Sequence, residues 1–210
     1  MPHPVCGSAS LDPARGRVDQ RGGPCMPSAN CGALDGVQGA RHQCAMHHAW
    51  LSLGSNLEPG RHLSAALAEL RARFGEPRVS AAYRFPAVGF EGPDFVNLAA
   101  RIESDLDAGA LDAWLHALED RHGRRRDVPR YSSRTLDVDI VLFDDAILHG
   151  PGHLEVPRRE LHEAFVLKPL AEIAPDLVVP GDGRTLAELW ATSPDHATPF
   201  ERVVLPVPRD

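Results

Sequence analysis

Between residues 95 and 102 the chain alternates cleanly. Val96, Leu98, Ala100 and Ile102 share one side, and Phe95, Asn97, Ala99 and Arg101 share the other. A period of two is that of a strand with one buried face. The same pattern returns at residues 136–143, where Leu136, Val138, Ile140 and Leu142 point toward a core and Asp137 and Asp139 point together the other way. Residues 49–53 read as a short buried strand ended by a Gly54-Ser55-Asn56 turn, and residues 79–84 as another strand. Two stretches step instead by three and four. Leu63, Leu67, Leu70 and Phe74 predict a helix over residues 61–74, after Pro59 and before Gly75 and Pro77. Leu111, Trp114 or Leu115, and Leu118 predict a second over residues 108–121, closed by Gly123. Further helices are expected at residues 161–173, ended by Pro175, and at residues 185–192.

The order strand, helix, strand, strand, helix, strand predicts an α+β fold. It is a ferredoxin-like β-α-β-β-α-β antiparallel sheet with helices packed on one face, followed by a C-terminal helical extension. The opposite face would be free to carry a site. No internal repeat is visible.

At 210 residues with 43% hydrophobic positions, the chain has the size and composition of one well-buried domain with tails. No apolar run approaches the roughly 18 residues of a membrane span, and the N-terminus lacks the layout of a signal peptide. A cytoplasmic protein without membrane contact is therefore expected. All four cysteines, Cys6, Cys25, Cys31 and Cys44, lie in a leader rich in Gly, Pro, Ser and Ala, so the body is no disulfide scaffold. A zinc site completed by His42, His47 or His48 is one reading of them; unpaired thiols in a disordered leader is the plainer one. The leader, residues 1–48, carries four arginines against three aspartates, a formal +1, so the body carries -8 of a chain whose net charge is -7. Met46 stands just ahead of the first strand, and translation is expected to begin there. The domain is expected over residues 49–192, with a tail from 193 to 210.

The Asp137/Asp139 pair is the first chemical candidate. Its Cα atoms would lie ~6.5–7 Å apart from the rise of a strand. Two carboxylates at that spacing can share divalent cations about 3.5–4 Å apart, as two-metal phosphoryl-transfer sites do. A bare D-x-D is more often the solvated face of an amphipathic strand; its neighbours change the balance. Upstream, Arg124, Arg125, Arg126, Arg130 and Arg134 lie in a segment broken by Gly123, Pro129, Ser132 and Ser133. It reads as a basic loop whose planar guanidinium forks suit phosphate oxygens. Arginine is also a habit of this chain, since Lys168 is its only lysine. The net negative charge and the carboxylates beside the arginines argue against nucleic acid as a partner.

Five motifs then stand in one order: L-G-S-N at residues 53–56, Y-R-x-P-x-x-G at 83–89, F-V-N at 95–97, R-T-L-D-V-D-I at 134–140, and F-V-L-K-P-L-A-E-I-A-P at 165–175. Together they resemble the 6-hydroxymethyl-7,8-dihydropterin pyrophosphokinase family over roughly residues 49–180. The resemblance implies transfer of pyrophosphate from ATP to the hydroxymethyl oxygen of the pterin, with release of AMP, in folate biosynthesis. It implies that Asp137 and Asp139 hold two Mg2+ ions, and that Arg124 and Arg134 act catalytically on the phosphates. His116, Glu119, Arg126, Arg134 and Arg158 are implied at the nucleotide. Pro86, Val88, Phe95, Asn97, Tyr131 and Phe165 are implied at the pterin, with the two phenylalanines flanking the ring and Asn97 reading its edge. Only small-molecule partners and a monomer are expected.

The sequence departs from the family pattern at four places. Phe85 stands where Thr is common, Tyr131 where Trp is frequent in the lid, and Val156-Pro157-Arg158-Arg159 replaces V-P-H-P. The segment before Phe165 is one residue short and lacks an Arg. These departures keep two other readings open, a non-catalytic pterin- or nucleotide-binding paralogue and a Mg2+-dependent kinase of another small alcohol.

Overall fold

The computed structural model describes residues 46–87, 89–124, 132–150 and 154–206. Expectations for the leader up to residue 45, including its disorder and its cysteines, and those for Val88, Arg126 and Tyr131 lie outside the described residues. The long strands are β1 (His47–Ser55), β4 (Phe95–Ser104) and β5 (Asp137–Phe143). Shorter ones are β2 (Arg78–Val79), β3 (Ala82–Phe85) and β8 (Arg202–Val203), while β6 (Leu148–His149) and β7 (Glu155–Val156) form a separate hairpin. The helices are α1 (Pro59–Phe74), α2 (Ala108–Arg121), α3 (Ala164–Ile173) and α4 (Leu186–Ala191). No helix among the described residues is long and apolar enough to cross a membrane.

The main sheet runs in the order β5-β1-β4-β3-β8, with β2 also on β4, and its pairs are antiparallel. Helices α1 and α2 cover one face through the predicted stripes. Leu63, Leu70, Leu111, Leu115 and Leu118 are sealed against Leu51, Leu53, Val96, Leu98, Ala100, Ile102, Val138 and Ile140. Each fully buried leucine contributes about 1.5–3 kcal/mol of apolar transfer, so these two stripes carry much of the stability. Trp114 sits at the rim, its ring edge-on to Phe74 at 4.9 Å. Pro at the first turn starts α1, and Asp107 caps α2 by accepting the Ala110 N–H at 2.8 Å.

The second face is open at one end only. Helix α3 lies across the other, where Val166, Leu167, Leu170 and Ile173 pack with Trp50, Ala99, Val141 and Leu142 in a second core that also takes in Leu186 and Leu189 of α4. Leu142 is thus a correction to the alternation read from sequence. The β1–β5 register shifts between Trp50 and Leu51, and the extra residue, Val141, turns Val141 and Leu142 together toward α3 while Phe143 returns to the first core.

Other boundaries also differ from the sequence reading. His47 and His48 extend β1 and pair with Ser104 and Glu103, and His47 Nδ1 meets Asp144 Oδ2 at 2.7 Å. Gly54 and Ser55 belong to β1 rather than to a turn. The expected strand at 79–84 is split by a one-residue offset, which Ser80 bridges by accepting the buried Ala99 N–H on its Oγ at 2.9 Å. The helix expected from 161 is a 3₁₀ turn at Arg159–His162, a break at extended Glu163, and then α3. Beyond Thr192 the chain stays with the body: β8 pairs with β3, and the Pro206 carbonyl accepts from Ser64 Oγ of α1 at 2.6 Å.

Candidate active site

Each central strand changes character along its second face. On β1 the face runs from Trp50 to Ser52 and Gly54, on β4 from Ala99 to Asn97 and Phe95, and on β5 from Val141 to Asp139 and Asp137. The apolar members lie under α3, and the remaining six line a cavity of about 960 Å3. Loops from four directions complete its walls. Of the residues singled out in the sequence, Arg124, Arg134, Asp137, Asp139, His116, Glu119, Arg158, Pro86, Phe95, Asn97 and Phe165 all line this one cavity.

At its acidic end, Glu119, Asp137 and Asp139 each meet a guanidinium. Arg124 Nη1 donates to both Glu119 Oε1 and Asp137 Oδ1. Arg134 Nε lies 3.7 Å from Asp137 Oδ2, and Arg158 Nη2 lies 2.8 Å from Asp139 Oδ1. Burial raises the Asp139 carboxyl above its ordinary range, and the adjacent Asp137 charge adds to the rise against the pull of Arg158 and Arg124. Two acids on one strand face therefore repel unless cations stand by them. His116 lies a turn from Asp112, at 3.4 Å, on the wall formed by α2.

Glu119 is only 1% exposed, and its Oε1 also accepts the Val138 N–H at 2.9 Å. It ties α2 to β5 and fixes Arg124 beside Asp137. Burial pushes its carboxyl up to about 8, with the Asp137 and Asp139 charges adding to the rise and the Val138 N–H and Arg124 opposing it.

At the other end the walls are aromatic. Phe95 and Phe165 are half-buried with Phe85 and Phe90 nearby: Phe90 is edge-on to Phe95 at 6.3 Å, and Phe85 edge-on to Phe165 at 6.3 Å. Asn97 is 6% exposed, and its buried Oδ1 has no hydrogen-bond partner among the described residues. An orphaned buried amide oxygen is costly, and its position at the cavity wall supplies what a ligand N–H would satisfy.

Two residues that the sequence reading left without a role shape this arrangement. A Cβ on Gly54 would stand 2.6 Å from Asn97 Nδ2, so glycine there gives the amide its room on the sheet. A glycine inside a strand pattern was the available signal. Asn56 clamps two loops together. Its Oδ1 accepts the Arg134 N–H at 2.7 Å, and its Nδ2 donates to Pro93 O at 3.0 Å and Ser133 Oγ at 3.2 Å. The backbone N–H groups of Asn56 and Leu57 also bond Arg134 O. Nothing in hydrophobic periodicity marks such a clamp. No cluster of three or more His, Cys, Asp or Glu suited to a metal is present among the described residues, so a cation here would rest on the aspartate pair and on ligand oxygens.

A family described as 7,8-dihydro-6-hydroxymethylpterin-pyrophosphokinase (HPPK) matches residues 50–175. The chain is 43% identical over 160 residues to a 2-amino-4-hydroxy-6-hydroxymethyldihydropteridine pyrophosphokinase of Pseudomonas aeruginosa, covering 73% of this chain and 93% of that one. It is 37% identical over 153 residues to the protein of the same name from Haemophilus influenzae, covering 70% and 94%. Among solved structures it is similar to the Plasmodium falciparum HPPK-DHPS A437G chain with STZ-DHP, at a TM-score of 0.55 and 12% identity, over 72% of this chain. It spans only 46% of that longer chain, and at such identity the likeness is one of fold.

Proposed function

The chain belongs to the 7,8-dihydro-6-hydroxymethylpterin-pyrophosphokinase family, and on that premise we propose how its cavity moves pyrophosphate from ATP to 6-hydroxymethyl-7,8-dihydropterin. The hydroxymethyl oxygen attacks the β-phosphorus, a new P–O bond forms, the bond from that phosphorus to the α,β-bridging oxygen breaks, AMP leaves, and the hydroxyl proton is released to solvent. Little covalent work falls to the protein; positioning and charge compensation carry the step.

Asp137 and Asp139 fit a pair of divalent cations. They are hard oxygen donors on one strand face, open to the cavity, and cations already compensate both. Mg2+ held there would neutralise the triphosphate. Arg124 and Arg134 would take the charge that develops on bridging and leaving oxygens, with Glu119 positioning Arg124 from beneath. Arg158 and His116 would meet the nucleotide from the opposite wall. At the aromatic end, Phe95 and Phe165 would flank the flat heterocycle, Asn97 Oδ1 would accept one of its N–H groups, and Pro86 would close the rim. Val88 and Tyr131 at the pterin and Arg126 at the nucleotide complete the assignment.

The observation that carries this reading is the single cavity joining the acid pair to the orphaned Asn97 oxygen. Its volume, about 960 Å3, is at the upper end for small-molecule sites and suits two substrates rather than one. The test is AMP release by the purified chain given ATP, Mg2+ and the hydroxymethyl dihydropterin. Asp137→Ala should abolish turnover with unfolding temperature nearly unchanged, because Asp137 is 30% exposed and lies outside both apolar cores. Near-normal AMP release by that variant would overturn the assignment.

A further inference from the structure

The aromatic wall of the cavity is backed by a segment well beyond the matched span of residues 50–175. Phe85 is the last residue of β3, lines the cavity and is 4% exposed. Its nearest aromatic neighbour is Phe200, at 4.6 Å between ring centres and 44° between planes; Phe165 lies farther, at 6.3 Å. Phe200 therefore stands behind Phe85 as Phe85 stands beside Phe165.

The ring of Phe200 is held from both directions along the chain. After it, the Arg84 N–H donates to Glu201 O at 2.9 Å, Ala82 and Tyr83 pair with Val203 and Arg202, and Arg202 Nη2 donates to Tyr83 Oη at 3.2 Å. Before it, Trp190 of α4 approaches Phe200 at 6.5 Å and His196 at 5.6 Å. The same Trp190 lies under the Lys168 ammonium at 5.1 Å, and that ammonium lies over Tyr83 at 4.7 Å. Helix α3, which carries Phe165 in its first turn, is thus bound into one aromatic and cationic cluster with β3 and the C-terminal segment.

We infer that Phe200 is a positioning residue for the pterin: through Phe85 it sets the stance of the wall that includes Phe165. This rests on the functional reading above. Without the Phe200 ring, Phe85 gains space behind it and can tilt away from Phe165, which widens the slot a flat heterocycle must fill. The sheet order gives the inference its signature. The acid pair sits on β5, separated from β3 by β1 and β4, so roughly 14 Å of sheet lies between the two strands. Loss of Phe200 should weaken the pterin and spare the nucleotide.

The test compares full-length chain with Phe200→Ala in separate equilibrium titrations of the hydroxymethyl dihydropterin without ATP and of ATP with Mg2+ without pterin. Val204→Ala, in the same segment but 94% exposed, is the control and should change neither constant. The expected result is a pterin Kd raised roughly three- to tenfold, the worth of one aromatic pair, with the ATP Kd within about twofold. Phe200→Tyr, which keeps the ring, should restore most of the pterin affinity. Unchanged pterin binding in Phe200→Ala, or equal weakening of both ligands, would overturn the inference. Should Phe200→Ala fail to fold, Phe200→Leu is read by the same two constants: a partial loss confined to the pterin supports the inference, and no loss overturns it. Failure of the wild-type chain to release AMP would instead strike the functional reading, so the two failures are separable.

Discussion

Replacing Glu119 by Gln separates a carboxyl held neutral by its surroundings from one held ionised by Arg124. The side chain is 1% exposed, accepts the Val138 N–H at 2.9 Å and touches Arg124. Burial raises its pKa from 4.5 to about 8. A carboxyl raised on folding binds its proton more tightly in the folded chain than in the unfolded one. Its contribution to stability is complete below the unfolded pKa and is lost as pH rises through the folded value. The window is therefore about pH 4.5 to 8, and the interval sets a ceiling of about 5 kcal/mol. Gln keeps an acceptor for the Val138 N–H and has nothing to titrate. Wild type and Glu119→Gln should thus unfold at similar temperatures at pH 5, with the variant gaining as pH rises. Realising even 2 kcal/mol of the ceiling would open a gap of about 4–8 °C by pH 8 in a domain of this size. The assay is thermal unfolding of both proteins in metal-free buffer, in half-unit steps from pH 5 to 8.5. Titrating groups remote from Glu119 are common to both and cancel, and relief of Asp139 from the neighbouring charge acts in the same direction as the loss of the Glu119 titration. A gap that stays flat, or that favours wild type increasingly with pH, would show that Arg124 keeps Glu119 ionised throughout and would refute the reasoning.

Two further substitutions test separate parts of the architecture. Arg158→Ala removes the guanidinium 2.8 Å from Asp139, which should tighten Mn2+ binding without nucleotide by about tenfold, from a partner worth roughly 1.4 kcal/mol, while weakening ATP; electron paramagnetic resonance of free Mn2+ reads the first and calorimetry the second, and no change in either would remove Arg158 from the site. Ser80→Ala orphans the buried Ala99 N–H at the break between β2 and β3, so urea unfolding should lose about 1–3 kcal/mol, and a loss under 0.5 would show that the offset is held by other contacts.

The long elements were legible because their burial is periodic. Leu63 and Leu70, Leu111 and Leu118, and the alternation from Val96 to Ile102 each place enough side chains in register to outweigh local noise. The acid pair and Asn97 were legible for the same reason: polar residues interrupting one face of a strand are conspicuous. The features that escaped have no period to show. Strands β6, β7 and β8 are two residues each. The turn of Val141 and Leu142 toward α3 is hidden inside an apolar run, where either face suits either residue. Glu163 breaks what reads as one helix because the apolar spacing continues from Leu161 into Val166. Asn56 resembles any polar residue after a strand, and its clamp on Pro93, Ser133 and Arg134 depends on loops that only the folded chain brings together. Phe200 lies in a segment rich in proline and polar residues, with no pattern to tie it to a wall formed over a hundred residues earlier.

The division of the sheet's second surface between α3 and the cavity has a consequence for how such a chain tolerates change. Along each central strand, a step of two to four residues crosses from positions that hold the molecule together to positions that meet its ligands. Variation at Ser52, Asp137 or Asn97 removes few sealed methylenes, whereas variation at Trp50, Leu142 or Ala99 disturbs a helix interface. Selection can therefore retune recognition at one end of the platform while the other end keeps it assembled.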